Sequence, residues 1–127
     1  MMLPVERVIG EEGLARAGDG LRLAMRLPWY RSLPFSTVEV ASLAIDGTPV
    51  DLAGARLEYD GASWPLAANG EEVDRFWFVR DSAFLVVPGR SEPAGSEHAV
   101  ALTIYVNPPY IPGMKRVNPQ TMTLRVG

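Results

Sequence analysis

Apolar and polar residues alternate with a period of two along much of this chain. In GLRLAMRL, Leu21, Leu23, Met25 and Leu27 share one side, with Arg22, Ala24 and Arg26 on the other. HAVALTIYV sets Val100, Leu102, Ile104 and Val106 against Ala101, Thr103 and Tyr105. TMTLRV alternates Met122, Leu124 and Val126 with Thr123 and Arg125. Runs with one apolar and one mixed face predict antiparallel strands whose sheet is covered on one side only. Asp46-Gly47, Asp60-Gly61 and Asn69-Gly70 accept the positive φ that tight hairpins require. The segment GARLEYDGASWPLA therefore predicts a hairpin turning at Asp60-Gly61, with Ala55, Leu57 and Tyr59 inward and Trp64 on the return strand. FWFV (76–79) and AFLVV (83–87) read as a further pair around Arg80-Asp81-Ser82. Only EEGLARA (11–17) could make a turn or two of helix, and Gly13 weakens it by about 1 kcal/mol relative to Ala. Turn signals roughly 8–12 residues apart predict an all-β fold. The expectation is one antiparallel β-sandwich spanning 1–127, jelly-roll-like, of about eight strands.

Two connections interrupt this pattern. Residues 28–35 carry Trp29, Tyr30, Arg31, Leu33, Pro34 and Phe35, and residues 107–118 read NPPYIPGMKRVN. Rings such as Trp29 and Phe35 could plug the end of a sandwich. As sets, however, the loops combine Trp, Tyr and Arg, the residues enriched at interface hot spots. Their prolines reduce the entropy lost on ordering. From the residues alone, the chain reads as a stiff β-scaffold presenting two recognition loops.

Composition narrows the chemistry. The chain has 127 residues, 47% of them hydrophobic and 21% charged, which suits a globular domain with its own core. A net charge of −3 with scattered basic residues argues against nucleic acid. No apolar run approaches the ~20 residues of a membrane span. No signal peptide is visible in MMLPVERVIGEEG, and the expected location is cytoplasmic. With no cysteine and one histidine, His98, the chain offers too few ligands for a metal centre, so none is expected here. A Ser-His-Asp arrangement would have to join His98 to Ser36, Ser42, Ser63, Ser82, Ser91 or Ser96, and none of these lies in a G-x-S-x-G elbow. His98 reads as a surface residue at a strand start. Glu39 and Glu58 could approach across a sheet as a carboxylate pair, although solvated strand faces explain both. Gly18-Asp19-Gly20 lacks a following helix and reads as a turn. No catalytic residue is assigned.

PWYRSLPFSTVEVASLAIDGTPVD (28–51) resembles the opening of the small, or beta, subunit of bacterial C-glycoside deglycosidases. RFWFV after an acidic loop, GSEHAVALTIYV and the NPPYIP loop resemble that family too, so the likeness covers most of 20–126. The resemblance implies a two-part enzyme. A TIM-barrel large subunit would hold a divalent metal, manganese, and cleave the carbon–carbon glycosidic bond of a 3-oxo-C-glycoside as a lyase. The small β-sandwich subunit, inactive alone, would dock on it. Under this reading Trp29, Tyr30, Arg31, Leu33, Pro34, Phe35, Tyr110, Ile111 and Pro112 form the partner contact. Tyr30 and Tyr110 are candidates to touch a glycoside at the interface. The alternatives are a stand-alone carbohydrate-binding module and a homo-oligomeric interaction domain.

Overall fold

The computed structural model describes residues 7–90 and 92–127. The first six residues and Ser91, one of the candidate nucleophiles, lie outside the described residues. The chain forms β1 (Ile9–Ala17), β2 (Gly20–Arg26), β3 (Leu33–Pro34), β4 (Val38–Ile45), β5 (Thr48–Pro49), β6 (Arg56–Tyr59), β7 (Ala62–Pro65), β8 (Phe76–Trp77), β9 (Ser82–Val87), β10 (Glu97–Val106) and β11 (Arg116–Arg125). Among these eleven described strands, β3, β5 and β8 are two-residue pairings, which leaves eight of ordinary length. The fold is all-β and antiparallel. One sheet has the order β1-β2-β9-β6-β7, a second β11-β10-β4-β5, and β3 pairs with β8 in a short ribbon.

The alternating residues decide how the sheets meet. Leu21, Leu23 and Met25 of β2, Ala83, Leu85 and Val87 of β9, and Leu57 and Tyr59 of β6 are buried. Leu43 and Ile45 of β4 and Val100, Leu102, Ile104 and Val106 of β10 are buried with them in one core cluster. Leu14, Leu21, Leu23, Leu85 and Val87 of the first sheet line a gap with Leu43, Ile45 and Val100 of the second, where the sheets face each other. Asp46-Gly47 and Asp60-Gly61 turn the β4–β5 and β6–β7 hairpins with positive φ at all four residues (53°, 80°, 51° and 80°). That conformation is the one two-residue hairpin loops need.

Three local expectations are corrected. Residues 11–17 are not helical but belong to β1. Its register jumps between Ile9↔Met25 and Leu14↔Leu23, and Gly13 has φ +69° within the resulting bulge. The bulge inserts residues into the strand, so its period-two pattern is lost. A Cβ at Gly10 would come within 2.9 Å of the Ala24 Cβ, so β1 lies close over β2 there and Ala24 is buried. Next, 76–79 does not pair with 83–87. Trp77 pairs with Leu33 and Phe76 with Pro34, while β9 lies between β2 and β6. Finally, Asn69-Gly70 turns no hairpin. It lies in a 3-10 helix, Leu66–Glu71, and the Asn69 side chain is buried.

Candidate functional site

Two aromatic clusters stand out among the described residues. In the first, Phe35 stacks on Trp77 at 5.1 Å between centroids and 5° between planes, and meets Tyr59 and Trp64 edge-on. These rings close one end of the sandwich, and all four are buried. Their polar atoms have partners inside the protein. Trp64 Nε1 donates to Asn69 Oδ1 at 2.9 Å, and Asn69 Nδ2 donates to the carbonyls of Phe35 and Val38, each at 2.9 Å. Trp77 Nε1 donates to the Asp81 carbonyl at 2.9 Å. The Tyr59 hydroxyl donates to Asp81 Oδ2 at 2.6 Å and accepts from the Phe78 amide at 3.1 Å. Burial first, then the bond to Asp81, pushes the Tyr59 hydroxyl up to about 12.

The second cluster faces outward. Trp29 is buried, but its Nε1 donates to the Tyr110 hydroxyl at 2.7 Å, and Tyr110 donates to the Tyr30 hydroxyl at 2.9 Å. Tyr30 is 59% exposed and Tyr110 45%. Each hydroxyl has one proton, so in this chain Tyr30 keeps its own for an outside acceptor. The shared bond with Tyr110 raises the Tyr30 hydroxyl above the usual phenol range. The Arg31 guanidinium lies over the Tyr110 ring at 5.3 Å and that of Arg116 over Trp29 at 5.7 Å. Neither arginine forms an ion pair with a carboxylate among the described residues. The loop from Asn107 to Lys115 is held by backbone hydrogen bonds in which the amides of Asn107, Ile111 and Met114 donate to the carbonyls of Thr37, Pro108 and Ile111. Lys115 anchors its end through Glu39 at 3.1 Å. Glu39 is held below the usual carboxylate range by its bond from Asn107, then by Lys115.

The recognition-loop residues therefore divide between core and surface. Trp29, Leu33 and Phe35 are core residues that offer a partner no open side-chain surface. Tyr30, Arg31, Tyr110, Ile111 and Pro112 are exposed, and Pro34 is half-buried. Tyr30, Arg31 and Tyr110 are brought together across 80 residues of chain.

The other candidates separate. Glu39 lies on β4 and Glu58 on β6, in different sheets, so they form no carboxylate pair. Glu58 pairs instead with Arg22 at 3.0 Å. His98 does have the partners of a triad: Nδ1 lies 2.6 Å from Asp46 Oδ2, and Nε2 lies 2.8 Å from Ser96 Oγ. Ser96 Oγ also donates to the Pro93 carbonyl at 2.6 Å, so its single proton points away from the imidazole. The Asp46 side chain is 55% exposed, and it also accepts from the Ala99 amide at 2.9 Å. The constellation ties the β4–β5 turn to the turn before β10 and has no activated nucleophile. Among the described residues, no three His, Asp or Glu side chains are close enough to hold a metal ion. No helix among them is long and apolar enough to cross a membrane.

From the sequence, Asn69 and Asp81 were read only as turn residues, and Ser32 was not singled out. Ser32 Oγ accepts from the Val79 amide at 2.9 Å. Each acts on residues distant in the chain, and no local pattern marks such a contact. The exposed rings of Phe76 and Phe78 were also missed, because FWFV was read as an ordinary strand.

Fold and surface define an all-β domain whose reactive-looking residues are structural and whose distinctive chemistry is an outward aromatic corner. The family model "C-glycoside deglycosidase beta subunit" matches residues 6–110. The chain is 39% identical over 107 residues to the 3'-dehydrocarminate deglycosidase beta subunit of a Microbacterium species, covering 84% of this chain and 80% of that one. It is 38% identical to the C-glycoside deglycosidase beta subunit of Microbacterium trichothecenolyticum over 87% of this chain and 82% of the relative. An Arthrobacter globiformis beta subunit is 31% identical over 84% of this chain and 81% of its own length. The chain belongs to the C-glycoside deglycosidase beta subunit family.

Proposed function

We propose that this chain is the non-metal-binding small subunit of a two-subunit enzyme that removes a C-linked, 3-oxidised sugar from its aglycone. The large subunit is of TIM-barrel type. It supplies the divalent metal, manganese, and with it the electrophilic stabilisation that C–C cleavage needs. The small subunit supplies shape. Its outward corner, Tyr30, Arg31, Tyr110, Ile111 and Pro112 with Pro34 beside them, seats on the large subunit near the mouth of its active site. The observation that carries this reading is the hydrogen-bonded relay from buried Trp29 through Tyr110 to exposed Tyr30. It holds two rings rigidly outward and leaves a donor facing away from the protein. Such a preorganised aromatic surface loses little entropy when covered. Family membership and the 3'-dehydrocarminate name of one relative support a 3-oxo-C-glycoside as the substrate class.

The test is reconstitution. The chain is co-produced with its large subunit and turnover of a 3-oxo-C-glycoside is measured for the wild type, Tyr30→Ala and Tyr110→Ala. The expected result is activity only in the complex, at least tenfold reduced in either variant. Full activity of the large subunit alone, or unchanged complex formation and turnover in both variants, contradicts the proposal. The same corner on a stand-alone carbohydrate-binding module would bind glycans without a partner, so binding by the isolated chain is the discriminating control.

A further inference from the structure

A second exposed aromatic feature lies beside this corner. On β8, alternation sends Trp77 into the core at 1% exposure and its neighbours outward, Phe76 at 45% and Phe78 at 59%. Val73, at the start of the same segment, is 60% exposed. Phe76 stands opposite Pro34 in the β3–β8 pair, so the two share the outer face of the ribbon. Val79 is tied to Ser32, so Phe78 lies along the ribbon in the direction of Tyr30. We propose that this outer face, with Phe76 and Phe78 as its anchors, is covered by the large subunit as a continuation of the Tyr30–Tyr110 contact. The inference rests on the reading that the chain docks on such a subunit, and it adds residues to that surface.

Area and rigidity support it. A stable interface needs about 800 Å² from each partner. At their observed exposures Tyr30, Tyr110, Ile111 and Met114 offer roughly 350 Å² of apolar surface, taking ~150–250 Å² for a whole large side chain. The large apolar residues of the loops therefore supply less than half of that area. Adding Phe76, Phe78 and Val73 nearly doubles the apolar surface and brings it close to the standard size before any polar rim is counted. The ribbon is also fixed. The Phe78 amide donates to the Tyr59 hydroxyl, Trp77 Nε1 to the Asp81 carbonyl and the Val79 amide to Ser32. Phe76 and Phe78 are thus carried on a backbone that has little freedom left to lose. Unlike Tyr30, they have no hydroxyl for water to solvate. Arg31 adjoins this surface and has no ion-pair partner among the described residues, so the matching partner face is apolar at its centre and acidic at that edge.

The experiment uses the full chain and the large deglycosidase subunit from its own genome. Affinity is measured for the wild type, the double variant Phe76→Ser/Phe78→Ser, and Thr123→Ala as a control on the exposed face of β11, away from both loops. Hydrogen exchange of amides 73–79 is followed in wild-type chains with and without the partner. The proposal expects at least tenfold weaker binding by the double variant, unchanged binding by the control, and slowed exchange at 73–79. Slowed exchange carries the proposal even if the double variant fails to fold. Wild-type complex with unchanged exchange at 73–79, or with a folded double variant that binds within threefold of wild type, overturns the inference and leaves docking by the loops standing. No wild-type complex at all overturns the underlying reading instead. An isolated chain that dimerises through this face, with the double variant monomeric, assigns the surface to a second copy and rejects the large subunit as its occupant.

Discussion

Two aromatic clusters of similar composition have opposite fates. Phe35, Tyr59, Trp64 and Trp77 turn inward, and every indole nitrogen among them ends on an acceptor fixed by the fold. Trp29, Tyr110 and Tyr30 also form a chain of donors and acceptors, but theirs passes through Tyr110, 80 residues from Tyr30, and ends in the solvent-facing hydroxyl of Tyr30. Ring type does not distinguish a core from a contact surface. What differs is where the last polar atom of the network points. An inner network that closes on itself supports stability, whereas one that leaves an unused donor beside exposed rings supports recognition.

The widest separation between the clusters is expected on truncation. Phe35→Ala opens a cavity among Tyr59, Trp64 and Trp77 and should cost about 3–5 kcal/mol in urea unfolding. Tyr110→Ala removes a ring already 45% exposed and should cost about 1 kcal/mol or less, while weakening the complex at least tenfold. Equal losses of stability would break the comparison.

Asn69→Leu keeps the volume and removes the polar hub. It strands the Trp64 indole N–H and withdraws the donor from two carbonyls, so about 3 kcal/mol should be lost, measured the same way. Tyr30→Phe, which leaves only the exposed Tyr110 hydroxyl without its acceptor, should cost less. A larger loss from Tyr30→Phe would place both networks in the structural class.

Alkaline titration separates the clusters further. The Tyr59 hydroxyl loses its proton near 10 when unfolded and near 12 when folded, so the native state binds the proton more tightly. Its contribution is therefore full below pH 10 and is lost as the pH rises through 12. Tyr59→Phe should flatten that limb of the stability curve. Tyr30→Phe should barely change it, because water screens an exposed hydroxyl.

The smallest effect is expected at the acid end. Asp46 is held below its ordinary 3.8 by its bond to His98 first and then by the Ala99 amide. Its contribution is present above that value and disappears as the pH falls through the lowered one. Asp46→Asn should slightly reduce the steepness of acid unfolding without changing turnover by the complex. A loss of turnover would give the Ser96–His98–Asp46 chain a part in the chemistry.

The period of two was legible where a strand is regular and one-sided. Leu21, Leu23 and Met25, and Val100 through Val106, are buried in alternation as read, because a sheet packed on one face forces that pattern. Asp46-Gly47 and Asp60-Gly61 were legible because positive φ is a property of those residues themselves. It was illegible at β1, where the bulge at Gly13 shifts the register, and at β8, where a strand was read but its pairing partner was wrong and its outward rings were not seen. Asn69 showed the same limit. Its turn-forming character is local, but its function is to join Trp64 to carbonyls at residues 35 and 38.

By itself, the sequence determined the all-β class, the inward faces of the long strands, two hairpin turns and the likeness to a beta subunit family. Each of these depends on residue type, spacing or a continuous run of side chains. Only the tertiary structure decided which rings of the aromatic loops are core and which are surface. Trp29 and Tyr30 are adjacent, yet one is 4% exposed and the other 59%, because what covers Trp29 includes a loop whose Tyr110 lies 81 residues further along the chain. Burial is a relation between distant segments, and no local pattern can carry it.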